Sequence, residues 1–270
     1  MNKQLATTQA VMAVTLAATL LSPALVSAAT VNADVMAGMD ASGTPAVRIA
    51  ADFCTNLTTW NSTVDDRLTA AQATLATRQS DLTTAVQDRK TTRGQDLTDL
   101  RTQQDADRAS IYAQLAVKAT TDSQKQALAQ FETTIDAAMQ ARRASVDAAL
   151  AAYWQGIDGV LATRQAAVQK TEQDFSTSLQ SAFSAATSSC NAGTSGIAVR
   201  TTFGIAVRTA ASTFTQDRKG IDKAGPQIKA LAQTRNLAIA KAIATFKTAA
   251  QAAEAQLKVS FAASASATTN

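Results

Sequence analysis

Two cysteines, Cys54 and Cys190, stand at equal distances from the one clear interruption of a long helical pattern. A disulfide between them would therefore staple the open end of a helical hairpin. The interruption is the polar run Lys118-Ala-Thr-Thr-Asp122-Ser123-Gln124. Short Cys-x-x-Cys spacing, the usual layout of a redox couple with a lowered thiol pKa, is absent. Two cysteines in an exported chain pair structurally, so Cys54 and Cys190 are expected to form one intramolecular disulfide.

The apolar residues on either side of the break repeat with one period. In the second segment Ile135, Val146, Ile157, Val168, Leu179 and Cys190 recur every eleven residues, and Val64, Leu75, Val86 and Leu97 do the same in the first. Eleven residues in three turns is about 3.67 per turn, close to the natural helix, so the apolar seam stays nearly straight. A register within one residue of that which places Cys54 beside Cys190 sets Val64 against Leu179, Leu75 against Val168, Val86 against Ile157 and Leu97 against Val146. The same register joins Trp60 with Phe183, Leu82 with Leu161 and Leu115 with Leu128. The hairpin is expected over residues 45–190 with its turn near 119–123. Thr44-Pro45 supplies a capping hydroxyl and a proline at the first helical position, and Ser123 with Gln126 reads as a capping box opening the second helix.

Composition limits what else the chain can be. Gly 10 and Pro 3 in 270 residues leave few helix breakers, and 4% aromatic content is sparse for a compact globule. The start carries Lys3 and no acid through Gln9, an apolar run over 10–21, and the small residues Val26-Ser27-Ala28. Residues 1–28 are thus expected to be a secretory signal peptide cleaved near Ala28, placing the protein in a periplasm or outside the cell. Residues 29–44 are expected to be a flexible linker.

Beyond Cys190, Asn191-Ala-Gly193-Thr-Ser-Gly196 ends the second helix by glycine chemistry. A short duplication, Gly-Ile-Ala-Val-Arg-Thr at 196–201 and 204–209, begins a third segment whose stripe runs through Val199, Phe203, Val207, Ala210, Phe214 and Ile221. Its β-branched residues also suit a small hairpin, but the stripe favours helix. Gly225-Pro226 precedes a fourth helix to about Phe261 through Ile228, Leu231, Ile239, Ile243, Phe246 and Leu257. The expected fold is all-α: a long antiparallel two-helix coiled-coil hairpin of eleven-residue repeats, with a C-terminal helical pair (191–262) packing at its base and a disordered tail (263–270).

Charge is uneven along this plan. Residues 191–270 hold only Asp217, Asp222 and Glu254 against ten bases, a net of +7, whereas the whole chain is +4. Lys223, Lys229, Arg235, Lys241 and Lys247 are the candidate anion-binding residues; their six-residue spacing rotates them around the helix, which is also how a solvated face looks. Tyr153 and Trp154 are the candidate partner contact. They lie beside a column, Phe131, Arg142, Tyr153, Arg164 and Phe175, in which arginine stems and rings can cover a seam edge. The chain has no histidine, phosphate loop or serine elbow. No catalytic residue, metal, cofactor or small-molecule substrate is expected. The expected function is an exported helical scaffold or protein-protein interaction protein, with a protein partner or self-association; the alternative is binding of an anionic polymer, nucleic acid or lipid surface through the basic C-terminal helices.

Overall fold

A computed structural model describes the backbone of residues 46–267 and the side chains of 53–263. The expected signal peptide, the linker and the Thr44-Pro45 helix start lie outside the described residues. Among the described residues four helices follow one another: α1 (Ala46–Lys118), α2 (Asp122–Asn191), α3 (Gly196–Gly220) and α4 (Ala224–Ala267). No strand occurs among the described residues, so the duplicated Gly-Ile-Ala-Val segment is helical. α1 and α2, with 73 and 70 residues, form the antiparallel hairpin. At about 1.5 Å per residue each is roughly 105–110 Å long.

The register is the one read from the sequence. Cys54 and Cys190 are disulfide-bonded with Cα atoms 5.8 Å apart. One apolar cluster holds Val64 with Leu179 and Phe183, and Trp60 packs against it. Val86 and Ile157 share a second cluster, with Leu82 and Leu161 against it. A third, at the tip, contains Ala119 and Leu128, with Leu115 against it.

The turn is tighter than expected. α2 opens on Thr121 rather than Ser123, and the capping box is Thr121 with Gln124. Both pairs fit the sequence pattern, but only Gln124 is buried. Its side-chain oxygen accepts from the backbone N–H of Thr120 and Thr121 at 2.9 and 3.2 Å, satisfying two donors that the turn would otherwise leave unpaired. At the other end, Gly193 takes a left-handed φ of 75°. Its N–H bonds to the Cys190 carbonyl and that of Thr194 to Ser189, both at 3.0 Å, a Schellman closure. The chain thus reverses directly beside the disulfide.

α3 packs on the stapled base, as expected of the C-terminal pair. Its stripe of Val199, Phe203, Val207, Ala210 and Phe214 joins Phe53, Leu57, Phe175, Leu179 and Phe183 in the largest cluster. The second helix of the pair goes further. α4 begins at mid-arm, where Ala224 and Ile228 meet Val86 and Ile157, and ends at the tip, where Leu257 meets Ala119 and Leu128. α3 and α4, 25 and 44 residues long, therefore lie end to end as a third line nearly matching α2 in length. α4 leaves the base because α3 already occupies it. α2 is the shared element: α4 packs against it most extensively, α3 next and α1 least.

α4 also runs past residue 262, helical through Ala267 over part of the expected tail. Alanines at 262, 263, 265 and 267 extend an existing helix at little cost because no new nucleus is needed.

The staple closes a loop of sequence separation 136. In the chain-entropy model such a closure is worth about 5 kcal/mol as an upper bound. Replacing both Cys54 and Cys190 by Ser should therefore lower the denaturant midpoint strongly while leaving helical circular dichroism in buffer nearly intact. An unchanged midpoint would show that the base holds without its disulfide.

Candidate functional site

The column Phe131, Arg142, Tyr153, Arg164 and Phe175 is the side of α2 that meets the third line. Phe175 stacks on Phe214 of α3 with ring centroids 4.7 Å apart. Arg164 donates to the Asp222 carbonyl at 2.7 Å, holding the α3–α4 connection. The guanidinium of Arg235, in α4, lies 4.3 Å from the Tyr153 ring centre, and Arg142 lies 5.2 Å from that of Phe246. Phe131 packs on the tip cluster that contains Leu257. Phe203 and Phe214, then Arg235, Phe246 and Leu257, keep the eleven-residue interval on the facing helices. The aromatic and arginine alternation is an intramolecular docking line.

Tyr153 is consequently not presented to a partner. It is 2% exposed, beneath Arg235 and beside Trp154, whose ring centre is 5.1 Å away. Trp154 is half-buried and packs on the mid-arm cluster. One turn on, Gly156 permits the close approach of α4: a Cβ there would sit 2.6 Å from a Leu231 methyl. The Tyr153 hydroxyl is buried without a hydrogen-bond partner, which costs about 1–3 kcal/mol relative to a satisfied group.

Arg235 likewise leaves the set of candidate anion-binding residues. It is 8% exposed, and besides covering Tyr153 it donates to the Asn236 side-chain oxygen at 2.9 and 3.1 Å. Six-residue spacing alone does not separate it from the lysines; its place in the eleven-residue series with Phe246 and Leu257 is the sequence signal that does. Lys223, Lys229, Lys241 and Lys247 are exposed. Lys229 and Lys247 lie on α4 five helical turns apart, spanning about 27 Å along one face, Lys241 lies between them on the same helix, and Lys223 belongs to the connection before it. Within α4 the only acid is Glu254, bridged to Lys258 at 2.6 Å.

An open groove of about 680 Å³ lies where α3 gives way to α4, lined in part by Arg164, Lys170, Thr171, Asp174, Asp217 and Asp222. Within it Lys170 donates to Asp174 at 2.7 Å, and this hydrogen bond is the main reason its ammonium pKa is raised. Beside it, burial pushes the Glu172 carboxyl up and Arg218 pulls it back. Among the described residues no cluster of His, Cys, Asp and Glu suits a metal ion, and no helix is long and apolar enough to cross a membrane. Comparisons with protein families, characterised proteins and solved structures find no match.

Tyr153→Phe should leave stability unchanged or raise it, since the ring stays and an unpaired hydroxyl goes. Tyr153→Ala should cost about 3–5 kcal/mol, as aromatic truncation in a core does. Denaturant unfolding of both variants checks this; a loss in the Phe variant would mean that the hydroxyl has a partner in solution.

Proposed function

We propose that this chain is an exported, non-enzymatic helical scaffold of the periplasm or cell surface that presents an interaction surface away from a stapled base. The observation that carries this reading is the rod: three lines of nearly equal length, covalently locked at one end. Such a body converts a fixed base into a tip displaced by roughly 100 Å. At that tip, Val117 is 83% exposed beside the Thr120-Thr121 turn, a surface for a protein partner or a second copy. The leader pattern at 1–28 and the disulfide support an oxidising compartment. Small-angle scattering with light scattering on the oxidised protein tests the reading. A maximum dimension near about 110 Å is expected from the helix rise, and a compact particle would reject the rod and the scaffold role with it.

The exposed Lys223, Lys229, Lys241 and Lys247 favour a second reading, attachment of the rod along an anionic polymer such as polyphosphate or nucleic acid. Their spacing matches an extended ligand better than a compact anion, and their exposure makes the attraction salt-dependent. Retention on a polyphosphate resin should fall steeply between about 50 and about 200 mM salt, the range over which several phosphate contacts weaken together. Replacing Lys223, Lys229, Lys241 and Lys247 by Gln should abolish it. Equal retention of the variant would reject this reading.

A further inference from the structure

The contact between α1 and α2 changes chemistry along the arm. No apolar cluster includes an α1 residue between Val86 and Leu115. Over that stretch the helices are joined by charge. Arg101 makes a two-pronged contact with Asp147 at 2.6 and 3.2 Å. Arg143 does the same with Asp105 at 2.6 and 3.0 Å and reaches the Arg101 carbonyl at 3.3 Å. Arg108 bridges Asp136 at 2.9 Å and Asp105 at 2.8 Å, and the Tyr112 hydroxyl donates to Asp136 at 3.1 Å. Leu97 and Val146, the apolar pair expected here, are only partly buried, and Leu100 and Ile111 are 39% and 44% exposed.

Both ends of this stretch are built to bend. Gly94 lies in α1 with open space where a Cβ would stand, and glycine is the weakest helix former after proline. Thr98 bonds back to the Gly94 carbonyl at 3.0 Å, a contact that tends to bend helices. The other end is the non-helical turn at 119–121. On the opposite side of α2, α4 stays in extensive contact, with Arg142 stacked on Phe246.

We infer that residues 95–114 of α1 form a releasable strap: breaking the ionic ladder lets this segment bow away from α2 between Gly94 and the tip, where Leu115 stays packed, while the stapled base and the α2–α4 contact remain closed. Release uncovers the partly buried line of Leu97 and Val146 without unfolding the rod. The arginines are 22–24% exposed and their aspartates 41–52%, so dissolved salt can compete for them.

Nitroxide pairs read the strap directly in the oxidised protein. Ala106→Cys with Gln140→Cys reports on the ladder, and Thr69→Cys with Gln173→Cys on the apolar seam nearer the base. Electron–electron distance measurements are compared at about 0.1 M and about 1 M sodium chloride, where the screening length falls from about 10 Å to about 3 Å. The expected result is a longer, broader distance for the ladder pair at high salt, an unchanged seam pair and constant helical circular dichroism. In a background of Asp105→Leu, Arg143→Met, Arg101→Met, Asp147→Leu, Arg108→Met and Asp136→Leu, the salt response should disappear. An unchanged ladder distance, or equal lengthening of both pairs, would overturn the inference; so would a salt response that survives in the apolar background.

Discussion

Burial of α2 on two sides is the constraint from which the rest of the structure follows. A 70-residue helix gains little from contact with one partner, because a single seam leaves most of its surface in water. α2 carries two lines instead. The eleven-residue aliphatic series faces α1, and the series Phe131, Arg142, Tyr153, Arg164, Phe175 faces α3 and α4. Because both lines share one period close to that of the straight helix, neither winds around α2 away from its partner. Three lines of helix, the third made of α3 and α4 end to end, can then run side by side for the whole arm.

The legible parts of this arrangement are those with a redundant signature. The disulfide, the turn and the aliphatic series each specify the same register, so the residue order alone pairs Val64 with Leu179 and Val86 with Ile157. The course of α4 has no such redundancy. Its apolar stripe says that it is covered but not by what, and a helix beginning after Gly225-Pro226 can pack on the base or pass along the arm. Tyr153 and Arg235 are legible only as residue types: an aromatic pair and a regularly spaced cation have the same sequence appearance whether they face solvent or each other. The cap differs for a similar reason. Thr121-x-x-Gln124 and Ser123-x-x-Gln126 are equivalent patterns, and what separates them is the burial of Gln124 by the packed turn.

Stability is distributed unevenly as a result. The base concentrates Phe53, Phe175, Phe183, Phe203 and Phe214 in one cluster under the disulfide. Mid-arm depends on the close approach over Gly156 and on a stacked cation. Further out, α1 relies on part-exposed ion pairs, each worth at most about 1 kcal/mol. Local opening follows such gradients: segments with few buried apolar contacts open at a lower free energy than the core.

The ionic stretch does something that an aliphatic one could not. An apolar series that repeats every eleven residues is satisfied equally well if one helix slides by eleven, since leucine meets valine again. Sliding α1 so that each residue meets α2 eleven positions earlier would set Asp105 near Glu132 and Arg108 near Lys125, two like-charge contacts in place of two attractive ones. The ladder therefore discriminates against a slip to which the aliphatic seam is blind. The opposite slide keeps Arg101 and Arg108 opposite acids, Asp158 and Asp147, so charge alone does not exclude it. That direction is closed covalently. The disulfide at the base and the short turn at the tip fix the axial position of both helices against a slide in either direction, so the ladder reinforces this covalent register against one slip and leaves the other to the covalent links alone.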